Sequence, residues 1–103
     1  MLTVKAEISF GIENLSQDLS TKHILRPSIN FGDNLLFSGT ILADSDVDEL
    51  IRGRRYKVTI ELPTVEQEAY EHIRHLVQIG NIFTLQNASK VLGKGEIMDF
   101  MFV

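Results

Sequence analysis

From Leu2 to Phe10 the chain alternates without a break. Leu2, Val4, Ala6, Ile8 and Phe10 fall on one side, and Thr3, Lys5, Glu7 and Ser9 on the other. Successive side chains of a strand point to opposite faces, so this is the pattern of a half-buried strand. Gly11 breaks it. A second run of the same kind sets Tyr56, Val58, Ile60 and Leu62 against Lys57, Thr59 and Glu61, and Pro63 ends it, because proline has no N–H for the ladder.

Between these runs, residues 13 to 23 are polar and read as a loop. Arg26-Pro27 restarts the chain in an extended conformation. Ile29 and Phe31 alternate with Ser28 and Asn30, and Gly32-Asp33-Asn34 signals a turn or bulge. Leu35 to Leu42 is another extended run, interrupted by Gly39. The period then changes. Val65, Ala69, His72-Ile73 and Leu76-Val77 recur three to four apart, which predicts a helix over 64–79. Thr64 with Gln67 suits a capping box at its start, and Gly80 suits its end. Ile82 to Leu85 reads as a strand, Asn87-Ala88-Ser89 as a hairpin tip, and Gly93-Lys94-Gly95 as a bend. In the last strand Ile97, Asp99, Met101 and Val103 alternate with Glu96, Met98, Phe100 and Phe102. So few polar positions imply burial on both faces or an exposed apolar edge. The expected fold is mostly β: a single domain over residues 1–103, a small antiparallel β-barrel with one inserted helix near 64–79.

The chain is 103 residues long, with 44% hydrophobic and 23% charged residues and a net charge of −4. That balance excludes a disordered chain. An acidic surface repels a phosphate backbone unless its basic residues gather on one face. There is no cysteine, which removes thiolate nucleophiles, zinc–thiolate sites and iron–sulfur clusters and favours a reducing, cytoplasmic setting. Neither a signal-peptide pattern nor a bilayer-length apolar run is present, so no membrane partner is expected.

Arg52, Arg54, Arg55 and Lys57 form the one basic cluster. It reads either as a docking patch for a partner's carboxylates or as the counterpart of the preceding acidic stretch Asp44–Glu49. That stretch lacks the central glycine and the closing glutamate of a calcium loop. His72 and His75, with Glu68 or Glu71, fall short of the convergent ligands a metal needs and read as surface residues. No G-x-S-x-G elbow, phosphate loop or nucleophile–base pair stands out. The expectation is a non-catalytic protein with no cofactor and no metal. The apolar end Phe100-Met101-Phe102-Val103 reads as core packing or as a homo-oligomer edge along the C-terminal strand.

Phe83-Thr84-Leu85, the tip Gln86-Asn87-Ala88-Ser89 and Lys90-Val91-Leu92-Gly93-Lys94-Gly95-Glu96-Ile97 together resemble the end of the C-terminal barrel of elongation factor Tu. Arg26-Pro27 with Phe31, and Arg52-Gly53 before Tyr56–Leu62, agree with that barrel in order. The resemblance implies the family's barrel as a stand-alone domain. It also implies that Arg26, Ser28, Asn87, Ala88 and Lys90 are the positions facing transfer RNA. The family's contacting glutamine and glutamate-glycine pair correspond here to Ser28, Asn87 and Ala88, so those contact residues are not retained, and there is no GTPase domain. The expected function is therefore a binding module that engages a protein partner, such as an immunity-type or regulatory protein directed at a toxin or nuclease. An RNA- or translation-associated accessory factor and a structural subunit of a larger assembly are the alternatives.

Overall fold

A computed structural model describes residues 1–103. In chain order the elements are β1 (Leu2–Phe10), β2 (Leu19–Ser20), β3 (Ser28–Asn30), β4 (Leu36–Ser38), β5 (Thr40–Ala43), β6 (Glu49–Leu50), β7 (Tyr56–Leu62), α1 (Gln67–Ile73), β8 (Ile82–Asn87) and β9 (Lys90–Phe102). The two alternating runs are neighbours. β1 pairs antiparallel with β7 from Leu2↔Leu62 to Ile8↔Tyr56, and on its other side with β9 from Leu2↔Phe102 to Phe10↔Gly93. The seven-stranded sheet runs β4-β3-β8-β9-β1-β7-β5, and β2 with β6 forms a separate ribbon.

The two outermost strands of that sheet, β4 and β5, are consecutive in the chain, with only Gly39 between them. Gly39 N–H donates to Pro27 O at 3.0 Å and Ile41 N–H to Leu25 O at 2.9 Å, which carries the β3 side of the pairing forward past Gly39. Residues 40–43 meanwhile pair with β7. The sheet thus curls until its first and last strands are one bent strand, and the mostly β barrel expected from the sequence closes there. A Cβ at Gly39 would lie 2.8 Å from both Ile29 Cγ1 and Ile60 Cγ2, so the corner sits directly on the packed interior.

The interior is a single cluster of buried apolar side chains. It takes Leu2, Val4, Ala6, Ile8 and Phe10 from β1, Val58, Ile60 and Leu62 from β7, and Phe83 and Leu85 from β8. The Phe31 and Phe83 rings meet at 5.7 Å. Each fully buried Leu, Ile or Phe contributes about 1.5–3 kcal/mol, against about 1 kcal/mol or less for a surface ion pair. The core therefore sets the stability.

Four details differ from the sequence reading. α1 spans seven residues, Gln67–Ile73, not 64–79. Thr64 supplies no cap, Glu66 makes no capping bond, and Gln67 spends its amide on Glu71 at 3.0 Å. Past Ile73 the backbone tightens, with Leu76 N–H donating to Ile73 O. Of the periodic residues, Val65, Ile73 and Val77 are buried, Ala69 and Leu76 half-buried and His72 exposed, so the period followed burial at its aliphatic positions where most of the turns are not helix. The loop 13–23 contains β2, which pairs with β6. The hairpin tip is two residues, Ala88-Ser89, because β8 continues through Asn87. In β9, Lys5↔Asp99 is followed by Ala6↔Ile97, which leaves Met98 as a bulge. That extra residue reverses the phase. Phe100 and Phe102 then pack on the same side as Ile97, and Phe102 stacks on Tyr70 at 4.3 Å.

Candidate functional site at the loop-bearing end

The antiparallel register sorts the loops. β1 ends at Phe10, β7 starts at Tyr56, β3 starts at Ser28 and the β8–β9 hairpin turns at Ala88, all at one end of the barrel. α1, Met1 and the turn at 32–35 lie at the other. The basic turn Arg52–Lys57 and the positions Arg26, Ser28, Asn87, Ala88 and Lys90 therefore share one end, although they come from three distant parts of the chain.

Backbone bonds fasten these loops together. Gly53 N–H donates to Phe10 O at 2.8 Å and Gly11 N–H to Leu92 O at 3.0 Å, and the Asn14 side chain adds a bond from Nδ2 to Val91 O at 2.9 Å. Gly53 has φ +83°, which a side chain would strain.

Arg52 is the anchor of its turn. Its backbone N–H and its Nε each donate to Asp18 Oδ1 at 3.0 Å, and Nη1 donates to Leu15 O at 2.8 Å. Its side chain is only 28% exposed. This residue ties the 11–20 loop to the 51–55 turn, with its backbone N–H, Nε and Nη1 all donating within the protein. The Arg52 backbone N–H, then its guanidinium, hold the Asp18 carboxyl below its ordinary value of 3.8. A depressed folded-state value stabilises the fold above pH 3.8, and this contribution disappears as pH falls through the folded value. Asp18→Asn is expected to flatten the acid limb of the stability–pH curve without changing its shape above pH 6 (pH-dependent urea melts of both proteins decide this).

Arg54, Arg55 and Lys57 stay exposed. Arg55 Nη1 lies 3.6 Å from Glu7 Oε1, yet its side chain remains 80% exposed. The acidic stretch Asp44–Glu49 does not pair with these arginines, contrary to one sequence reading. Its backbone is spent on a turn, Val47 N–H to Asp44 O at 3.0 Å, and on the β2–β6 ribbon. The ion pairs of the basic turn go to Asp18 and Glu7 instead.

Beside the turn, a cleft of roughly 340 Å³ opens between residues 24–28 and the hairpin. Arg26, Ser28 and Asn87 line it together with Phe10, Ile24 and Leu92. Ala88 and Lys90 stand outside it on the tip. Ile24 is 74% exposed, so the cleft has an apolar lip.

Gln86 is a residue the sequence reading placed in the tip and missed as a support. It is 7% exposed. Its Oε1 accepts from the Asn30 amide at 3.0 Å and from Thr84 Oγ1 at 2.7 Å, and its Nε2 donates to Ala88 O at 2.9 Å. That last bond braces Ala88 at φ +53°. The only sequence signal is a long polar side chain next to the buried Leu85. Gln86→Leu leaves three polar partners unpaired and is expected to cost about 1–3 kcal/mol. Thermal melts should read that loss, and amide exchange should quicken at residues 87–90.

His72 is exposed. His75 Nε2 lies 3.6 Å from Asp33 Oδ2, and both side chains are mostly in solvent. No group of three or more His, Asp or Glu side chains is placed to hold a metal. No helix is long and apolar enough to cross a membrane. What fold and site define is a small antiparallel β-barrel with a braced, loop-rich end. The chain matches no family model, and no curated protein matches it in sequence.

Proposed function

We propose that the chain is a non-catalytic binding module that holds an acidic protein surface at its loop-bearing end. One observation carries this reading: Arg54 and Arg55 project into solvent from a turn that Arg52, Asp18 and Gly53 hold rigid. A guanidinium on a fixed turn loses little freedom on binding and can grip a carboxylate with two parallel bonds. Apolar surface stands ready beside it. Ile12 is exposed next to Gly53, and Ile24 edges the cleft. Lys22, Arg26, Arg52, Arg54, Arg55 and Lys90 gather in the loops of this end. The same loops also carry Glu13, Asp18, Asp44, Asp46, Asp48 and Glu49, so the basic character is local to the Arg54–Arg55 turn. The lack of cysteine suits a cytoplasmic setting.

A photo-crosslinking amino acid at position 12 or 24 should trap a single protein in native lysate, whereas the same group at Glu68 on α1 should not. Arg54→Glu with Arg55→Glu should weaken capture on the order of 100-fold, since truncating or reversing buried charge partners costs several kcal/mol. Melting temperature should stay unchanged, because both side chains are exposed. No adduct from the loop end, or equal adducts from position 68, would overturn the reading.

A second reading, an RNA- or translation-associated accessory factor resembling the elongation factor Tu barrel, is favoured by one specific arrangement. Arg26 and Ser28, and Asn87 from a distant part of the chain, line the same cleft. Titration with transfer RNA at low salt tests it. Arg26→Ala with Lys90→Ala should lower the salt slope by about 1 per phosphate contact removed. No binding at low salt would remove this reading.

A further inference from the structure

β9 has one stretch whose outer side is unpaired. β8 pairs with β9 from Lys90 to Glu96, and Asn81 extends that side to Ile97. Beyond it β9 runs on to Phe102 with β1 as its only ladder partner. In an antiparallel pair, successive residues turn their backbone groups alternately toward and away from the partner. Val103 N–H donates to Met1 O at 3.2 Å and Met1 N to Val103 O at 2.8 Å. This fixes the parity: Asp99 and Met101 turn their backbone groups to β1, while Phe100 and Phe102 turn theirs to the open side. The Phe100 N–H is met by the Asp99 carboxylate at 2.9 Å. The Phe100 carbonyl and both backbone groups of Phe102 face outward. Between them Met101 is 61% exposed, and Met98 is exposed beside it.

We propose that this edge pairs with the same edge of a second copy of the chain, antiparallel about a two-fold axis at Met101. In that register Phe102 N–H of each copy donates to the Phe100 carbonyl of the other while Asp99 keeps its own bond. Release of the Asp99 carboxylate adds the reciprocal pair. Met101 faces its own counterpart and Asp99 faces Val103, whose oxygen is held by the Met1 ammonium, and the most exposed methionine is covered. An axis at Phe100 would require the N–H that Asp99 occupies. The edge is complementary to itself, which is the condition for an isologous dimer. The Met98 bulge limits the pairing to a few residues, so the dimer is weak and reversible.

The chain has no cysteine, so Met101→Cys carries a unique thiol. A non-hydrogen-bonded antiparallel pair sets Cα atoms about 4.5 Å apart, within the range a disulfide spans. Oxidation with glutathione disulfide should convert Met101→Cys to a covalent dimer, well ahead of a Val91→Cys control at the loop end. Sedimentation of the unmodified chain from micromolar to millimolar concentration should show monomer–dimer exchange. Met101→Asp should weaken it on the order of tenfold, from like charges facing across the axis, with melting temperature unchanged. A chain that stays monomeric throughout, with Met101→Cys dimerising no faster than the control, would overturn the proposal. A dimer that Met101→Asp leaves intact would overturn it equally.

Discussion

Gly93→Ala is expected to lose about 3 kcal/mol or more, the upper range for overpacking, for the addition of one methyl group. Gly93 is buried and pairs with Phe10 where β9 crosses β1. A Cβ there would strike the Ser9 carbonyl oxygen and lie 2.9 Å from Phe10 Cα. Both are backbone atoms of β1, so no rotamer change relieves the clash. The strands must separate, and the Gly11 N–H to Leu92 O bond that ties the 11–20 loop to the hairpin goes with them. Urea melts would read the loss as a lower midpoint. A loss under about 1 kcal/mol, the size of a change in backbone freedom alone, would show that β1 and β9 do not approach this closely.

Phe83→Ala is the second large effect, about 3–5 kcal/mol for a buried ring. Phe83 packs on Phe31 and fills the space above Gly95. A Cβ at Gly95 would meet the tip of the Phe83 ring and lie 2.8 Å from Ile8 Cγ2. Gly95→Ala alone should cost about 1–3 kcal/mol. With Phe83→Ala already in place, the new methyl occupies part of the vacated volume. The double variant should then be more stable than the sum of the singles predicts, by about 1–2 kcal/mol of coupling. Gly93→Ala should gain nothing in the same background, since its obstacle is backbone. Additive losses for the Phe83–Gly95 pair would mean that the glycine does not exist to admit the ring.

These two glycines also show where sequence reading reached and where it stopped. Gly93-Lys94-Gly95 reads as a bend because glycine marks bends, but its purpose is room for Ser9–Phe10 on one side and Phe83 on the other, and only the fold reveals those neighbours. The alternations at Leu2–Phe10 and Tyr56–Leu62 were legible because a strand's two faces write a period of two into the chain. The Met98 bulge was not, because an extra residue in an apolar strand leaves no local mark. The apolar period at 65–77 was legible as burial, but its length overstated the helix, since turns around a short helix can bury the same residues. At the site, the positions 26, 28 and 87 could be proposed from resemblance, but their convergence depends on β3 pairing with β8 across more than fifty residues. The roles of Arg52 and Gln86 were illegible for the opposite reason. An arginine in a basic run and a glutamine near a tip look like surface residues until their partners, Asp18 and Asn30, are in place.

The loop-bearing end exists only because the sheet closes through the strand bent at Gly39, so closure is the point to test. Nuclear Overhauser contacts and amide exchange in the intact chain do so directly. Ile41 should show cross-strand contacts to both Leu25 and Ile60, and the Gly39 and Ile41 amides should exchange slowly, as paired groups do. An Ile41 that touches Ile60 alone, with both amides exchanging at the rate of a free edge, would contradict the barrel and the functional end built on it.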